Sequence, residues 1–556
     1  MSDQNAQHVP KRAARWHLPR IDGWTLGAGL IAALVLAPVV SVIWIAFHPT
    51  ENIWPHLIAT VLPRYLKTTL ILMAGVAVLT AAVGTGAAWL VSMYQFPGRR
   101  WLAAALIFPL AIPAYVGAYA LLDVMDYAGP VQSALRAAFG WTTARDYWFP
   151  ETRSVWSAIL VLSAAFYPYV YILARAAFAE QSGATYEVAR ALGQRPWGVF
   201  RRVGLPLARP AIAAGAALAL METVADYGTV AHFGVQTLTA GVFSTWLNGG
   251  NAGGAAQIAG VILVLIFVLV AIERISRRGA RFHGMARAQR PVERQVLTGP
   301  AATLAFAACA TPVLAGFVLP VVVMLSLTLQ APGQWLAPGL LDALVNTLVV
   351  AGLAALATVA AAVFLVYGVR LAGRGAARMV LPLTTLGYAT PGAVLAVGLL
   401  FPLAALDHRL ADGVLALTGY DPGLLITGTA FALGLAYLVR FFGIAQGAVD
   451  SAFGRVSPSL PLAARLLGRT AGGALTAVYL PLMRRSVLTA LLVVFVDCVK
   501  ELPATLLLRP FNYNTLATRV FELASLERLS EAAPAALLVM AVGLVAVAVM
   551  ARSIRS

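Results

Sequence analysis

Twelve predominantly apolar stretches of about twenty residues each divide this chain, and that pattern leaves it few ways to fold. They run from about 26 to 47, 68 to 93, 101 to 122, 155 to 174, 211 to 232, 255 to 272, 301 to 328, 344 to 368, 379 to 400, 422 to 439, 486 to 508 and 532 to 551. A helix needs roughly 20 apolar residues to cross a hydrocarbon core ~30 Å thick. Inside that core every peptide group must be satisfied within its own segment, so spans of this kind are helical. Soluble domains are excluded: 60% of the 556 residues are hydrophobic and 11% are charged. The fold class expected is an all-α polytopic membrane protein with 12 transmembrane helices. The stretch with Lys11, Arg12, Arg15 and Arg20 before the first span resembles a signal peptide, but the apolar run behind it is too long for one and reads as a first helix that stays.

Charge tests the span count, because Arg and Lys gather on the cytoplasmic side when alternate loops are assigned correctly. With both termini cytoplasmic, the inner segments hold 30 basic and 7 acidic residues, the outer segments 9 and 12, and the spans Lys500 with four acids. A missed helix would scramble that division. The same asymmetry accounts for the net charge of +17 through orientation and anionic lipid, with no nucleic acid as partner. The two cysteines, Cys309 and Cys498, both lie in apolar runs, which excludes a disulfide framework.

The chain is a duplication. The most basic inner segment, about 274–300, separates six spans from six, and sliding one half over the other at an offset of 275 residues places Leu205-Pro206-Leu207 on Leu480-Pro481-Leu482 and Gly193 on Gly468. This predicts a cytoplasmic N-terminal segment 1–25, a first repeat 26–273, the linker 274–300 and a second repeat 301–556. Both halves start on the same side, so the duplication is parallel and builds a pathway between pseudo-twofold halves. The loops at about 177–210 and 450–485 repeat most faithfully. Each has a short segment ending at Gly193 or Gly468, nine residues, then an aliphatic residue, one residue and Leu-Pro. Thr185 and Ser459 are expected N-caps, and the two glycines can take the left-handed conformation that ends a helix. Each loop should therefore carry a helix of about two turns, ~10 Å long, outside the membrane.

These loops resemble the EAA loop of ABC-importer permeases, whose pattern is Glu-Ala-Ala, three residues, Gly, nine residues, an aliphatic, one residue, Leu-Pro. The resemblance implies two tandem six-helix type I permease repeats in the inner membrane of a bacterial cell. It implies that Glu187, Ala189, Gly193, Leu205 and Pro206 in one half, and Ala463, Ala464, Gly468, Leu480 and Pro481 in the other, couple the spans to a separate ATPase. Leu462 stands where the pattern has glutamate, so the two contacts should differ. None of Lys11, Lys67 and Lys500 lies in a phosphate-cradling G-x-x-x-x-G-K frame. The chain is thus expected to be no enzyme, with no catalytic residue and no cofactor of its own. ATP and Mg would sit on two copies of the partner ATPase, and a periplasmic binding protein would deliver the cargo.

The acids within spans are the pathway candidates. The offset places Glu222 on Asp497 and Asp226 on Glu501, so each half carries two carboxylates four residues apart on one helix face. A charge at such depth costs at least ~2.5 kcal/mol, so Glu222, Asp226, Asp497 and Glu501 should face water or a bound cation, with Tyr227, Lys500 and His232 nearby. Carboxylate and phenolate oxygens suit a hard, highly charged cation held transiently. The alternative is structural: an interhelical Asp497–Lys500 clamp, with Glu222 and Asp226 protonated or bonded to hydroxyls. His48, His56 and His408 read as ordinary surface residues, Trp24, Trp44, Trp101 and Trp156 as interfacial anchors, and Pro113, Pro168, Pro391 and Pro402 as sites of kinking.

The stretches from Leu205, Met221 and Lys500 are similar to those of the ferric-iron permeases of this superfamily, which implies ferric iron as cargo. Thiamine and other small-solute importers share the fused plan. A secondary transporter of twelve spans, with the buried acids as proton-coupling groups, is the reading from another class.

Overall fold

A computed structural model describes residues 23–49, 52–181, 183–278, 293–372, 377–385, 387 and 390–553. Both expected cytoplasmic termini and most of the basic linker fall outside them. In the first half the principal helices are α1 (Gly23–Phe47), α2 (Leu62–Met93), α3 (Ala114–Met125), α4 (Val155–Ala179), α5 (Gly183–Ala191), α6 (Leu205–Ala225), α7 (Gly228–His232) and α8 (Ala252–Arg278). In the second they are α9 (Gly299–Val313), α10 (Leu319–Gln330), α11 (Leu340–Ala372), α12 (Gly392–Thr418), α13 (Ala430–Gly454), α14 (Ser459–Leu466), α15 (Leu480–Val499), α16 (Pro503–Leu508) and α17 (Leu529–Ser553).

Ten helices among the described residues are long and apolar enough to cross a membrane, or eleven when Arg99–Ala111 and Ala114–Phe139, bent by 97°, are taken as one span. The ninth expected span, 379–400, is displaced to Gly392–Thr418, and at the one expected position left without a qualifying helix among the described residues stands α15, whose 20 residues include Arg484, Arg485 and Asp497. The bend falls at Pro113. Its ring fixes φ at −60° and forces Ile112 into extended backbone, which interrupts the helix. Pro391 likewise stands before α12, whereas Pro168 and Pro402 lie within helices.

The 275-residue offset holds in three dimensions. Val155–Ala179 maps onto Ala430–Gly454 end for end, and Pro196–Val199 onto Ala471–Ala474. Even a local irregularity repeats: Phe200–Gly204 and Leu475–Tyr479 are single π-turns, closed by Leu205 N–H donating to Phe200 O and Leu480 N–H to Leu475 O. The cause is the following proline. Pro206 and Pro481 lack a donor and crowd the carbonyl four residues back, and a widened turn relieves both problems without breaking the helix. Leu-Pro does not open a separate helix: in the first half one helix runs through it from Pro196 to Ala225.

Each half lends its first span to the other. α1 packs on α11 and α12 of the second half, where a Cβ on Gly398 would lie 2.2 Å from Pro38 O. α10 packs on α3, and a Cβ on Gly316 would lie 2.4 Å from Ala164 O. Trp24, expected as an interfacial anchor, stacks on Phe364 at 4.7 Å instead, while Trp44, Trp101 and Trp156 are exposed. The linker's end is pinned as well, because Gln295–Val296 pairs in parallel with Tyr94–Gln95 beside the first loop. Within the first half α4 is the hub, with α2 and α6 seated on it through Gly84 and Gly215. A Cβ on Gly215 would stand 2.6 Å from Val170 Cα and 2.9 Å from Tyr169 O, which are backbone atoms that cannot turn away. Gly215→Val is therefore expected to destabilise the fold by about 1–3 kcal/mol. The measurement is the unfolding midpoint followed by a thiol-reactive dye, since Cys309 and Cys498 are both free and buried.

Candidate functional site

A cavity of ≈ 90 Å³ opens between the two halves, lined from one side by Tyr115, Glu222, Asp226 and Tyr227 and from the other by Arg440, Asp497, Lys500 and Glu501. It exists because two spans break there. α6 ends at Ala225 and α7 starts at Gly228; α15 ends at Val499 and α16 starts at Pro503. Non-helical backbone at membrane depth is tolerated where it lines a polar cavity and its groups find partners. Asp226 supplies them in the first half, accepting from Thr229 N (3.0 Å), Thr229 Oγ1 (3.0 Å) and Val230 N (3.2 Å). Glu501 does the same in the second, accepting from Ala504 N (3.0 Å), Thr505 N (3.0 Å) and Thr505 Oγ1 (2.8 Å).

The four acids thus fall into two kinds. Asp226 and Glu501 cap the short helices beyond the breaks, and their oxygens are largely occupied. Glu222 and Asp497 lie one turn earlier. Asp497 pairs with Lys500 Nζ at 2.7 Å, within the same segment three residues on, so the pair is not the interhelical clamp considered from the sequence. The Glu222 carboxylate has neither hydrogen bond nor ion pair among the described residues, although the Glu222 carbonyl accepts from Asp226 N at 2.9 Å. Its charged surroundings are Arg440 and Lys500 of one sign and Asp497 and Glu501 of the other. No three His, Cys, Asp or Glu side chains among the described residues are grouped to hold a metal ion, so the acids line the cavity without closing into a ligand cluster. Tyr227 stacks on Phe243 at 3.6 Å, and His232 meets the Tyr119 ring at 4.5 Å. The hydroxyls of Tyr115 and Tyr119 and His232 Nε2 are buried with no hydrogen-bond partner among the described residues.

Arg440 is the charged residue of the cavity lining that sequence reasoning missed. Ending the tenth span at 439 put it in an inner loop; α13 carries it within the helix instead, so one positive charge moves from the cytoplasmic side to the interior. Mapping the fourth span forward by 275 residues gives 430–449 and would have found it. Its Nε lies 3.8 Å from Glu501 Oε1, beyond hydrogen-bonding range, and both Nε and Nη1 are buried without an acceptor among the described residues. Gly392 packs against the pair: a Cβ there would stand 2.4 Å from Glu501 Oε1 and 3.0 Å from Arg440 Nη1.

The two loop helices have the expected length, at nine and eight residues. Gly193 (φ +79°) and Gly468 (φ +84°) end them in the left-handed conformation. The closing bonds match: Gln194 N to Ala189 O and Arg469 N to Ala464 O, both 3.1 Å. The N-termini differ from expectation. α5 begins at Gly183, which leaves Thr185 inside the first turn, and Ser459 is the first helical residue, with no side-chain cap at Pro458. In α5, Tyr186 and Ala189 are buried; burial pushes the Tyr186 phenol up, and it donates to Gln181 Oε1. Glu187 is exposed, and so are Val188 and Leu192. In α14 no residue is buried, and Leu460, Leu462, Leu466 and the adjoining Leu467 all face outward. Both helices thus leave apolar side chains uncovered by the described residues.

Two swapped halves of matching helix order, a polar cavity at their junction and a matched pair of exposed loop helices define the permease of an ABC importer, a multi-pass inner-membrane subunit. The sequence pattern of binding-protein-dependent transport system inner membrane components matches residues 81–282. An Fe(3+)-transport system permease protein, FbpB 2 of Haemophilus influenzae, is 25% identical over 483 residues, covering 85% of this chain and 86% of the relative. The molybdenum transport system permease protein ModB of Mycobacterium bovis is 31% identical over 238 residues, 41% of this chain and 79% of its own length. A probable sulfate transport system permease protein, cysT of Nephroselmis olivacea, is 30% identical over 215 residues, 37% and 72% respectively. The chain belongs to the binding-protein-dependent transport system inner membrane component family. An ATPase and a binding protein are the partners that this family implies, and membership removes the ion-gradient carrier from consideration.

Proposed function

We propose that this chain forms the whole membrane pathway of an ATP-driven importer of ferric iron, with one ATPase copy under each loop helix and a periplasmic binding protein at the outer face. The observation that carries the reading is the cavity: four carboxylates from equivalent positions of both halves, against two basic residues, make it net negative. The relative with the Fe(3+) name aligns across both halves, whereas the molybdenum and sulfate relatives match the length of one. In this reading Glu222, Asp226, Tyr227, Asp497 and Glu501 pass the ion along by transient contact, and Glu187, Ala189, Gly193, Leu205 and Pro206, with Ala463, Ala464, Gly468, Leu480 and Pro481, transmit the motion of the ATPases. ATP and Mg reside on those partners.

The test is iron entry into proteoliposomes that hold the permease, its ATPase and its binding protein. Entry is expected with ATP and not without it, and ATP-independent uptake by the permease alone would reject the coupling. Glu222→Gln removes the one unpartnered acid at almost no change in volume. It is expected to slow iron entry by roughly 10- to 100-fold, the worth of one charge-assisted contact of ~1.5–3 kcal/mol. Unchanged entry would assign Glu222 to packing.

A further inference from the structure

We propose that the cargo crosses as a metal–oxyanion pair, with Arg440 receiving a carboxylate or phosphate oxygen that travels on the metal. The proposal rests on the ferric reading above and assigns a role to the residue that reading leaves unexplained. Arg440 is 8% exposed and lines the same cavity as the acids. A guanidinium there repels a bare trivalent cation, so its presence needs a reason. Neutralising the acids accounts for its charge but not for its donors. Lys500 already pairs with Asp497, Glu501 stands 3.8 Å away with its oxygens taken by the cap of α16, and Glu222, near enough to attract Arg440, makes no hydrogen bond to it. What is left is a buried, permanently charged guanidinium whose Nε and Nη1 find no acceptor among the described residues. Two unmet donors on a cation call for anionic oxygens and match nothing cationic.

The asymmetry points the same way. The offset of 275 pairs Glu222 with Asp497 and Asp226 with Glu501, but it pairs Arg440 with Ala165, which is also in the lining. The cavity therefore holds an acid at Glu222 whose carboxylate makes no hydrogen bond or ion pair among the described residues, and a base at Arg440 with unmet donors. A cargo with a cationic centre and an anionic group on its flank fits both sides at once. A bare ion fits only the first.

The experiment uses the complete importer in proteoliposomes, with radioactive iron supplied in one arm with carbon-labelled citrate and in the other with phosphorus-labelled phosphate. ATP-dependent entry of about one labelled oxyanion per iron in either arm is the expected result, and the arm that shows it identifies the source. Arg440→Lys, which keeps the charge beside Glu501 but loses the fork, should raise KM for the iron–anion complex at least tenfold and lower the anion-to-iron ratio. Arg440→Gln should do the same, and if it fails to fold the lysine variant decides. Iron entering with neither label, or Arg440→Lys with wild-type KM and ratio, overturns the proposal. Labelled anion entering without iron overturns the pairing and the ferric cargo together, while entry of neither overturns the ferric reading at its root.

Discussion

Glu501→Ala is expected to lower the stability of the second half by about 3–5 kcal/mol. Removing one member of a buried ion pair leaves the other as an uncompensated charge, and Arg440 forms no ion pair with another acid among the described residues. The same change strips the amides of Ala504 and Thr505 of their acceptor, a loss of ~0.5–2 kcal/mol on its own account and not fully additive with the first. Asp226→Ala gives the internal comparison. It removes the equivalent cap in the first half but strands no cation, so about 1–2 kcal/mol is expected. Gly392→Ala attacks the same pair from outside, by driving a methyl group against Oε1, and should shift the unfolding midpoint in the same direction. Cys498 lies three residues from Glu501 and is 2% exposed, so the rate of its reaction with a thiol-reactive dye reads the opening of this region directly. Equal losses for Glu501→Ala and Asp226→Ala would show that the Arg440 contact contributes nothing and that the caps alone matter.

The parts of this architecture that rest on periodicity were legible in the sequence, and the parts that rest on a single contact were not. Apolar run length gave the long helices, the 275-residue offset gave the duplication, and Gly193 and Gly468 ended their helices because only a residue without Cβ enters that backbone region without strain. The breaks after Ala225 and Val499 were hidden for a physical reason: an acid within an apolar run reads as a pathway group, yet the same carboxylate is an excellent helix cap, and the sequence does not separate the two uses. Asp226 and Glu501 serve as caps inside the cavity wall. Arg440 was hidden by the rule that ends spans at charges, which fails where a charge faces a cavity. The swap of α1 and α10 between halves has no local signature, since it is decided by close approaches such as Gly398 on Pro38 and Gly316 on Ala164.

Leu466→Asp with Leu467→Asp is expected to detach the ATPase from the second loop without unfolding the permease. Both leucines are almost fully exposed, at 89% and 85%, and α14 buries none of its own residues, so its footing depends on what covers it. Covering a leucine removes ~1.5–3 kcal/mol of exposed apolar surface, and losing two such contacts should weaken ATPase binding by at least about 100-fold. The matching pair in the first half, Val188→Asp with Leu192→Asp, should cost less. There Tyr186 and Ala189 already anchor α5 within this chain, and exposed Glu187 remains available for an ionic contact. Ionic strength separates the two contacts further. Binding through the first loop should weaken with added salt as Glu187 is screened, whereas binding through the second, with Leu462 at the position where the family pattern has glutamate, should not. Titrating the ATPase onto permease in nanodiscs at two salt concentrations measures both effects, and the thiol-dye midpoint serves as the folding control. ATPase affinity unchanged by either pair would place these leucines in the lipid headgroup layer and remove the loops from the coupling.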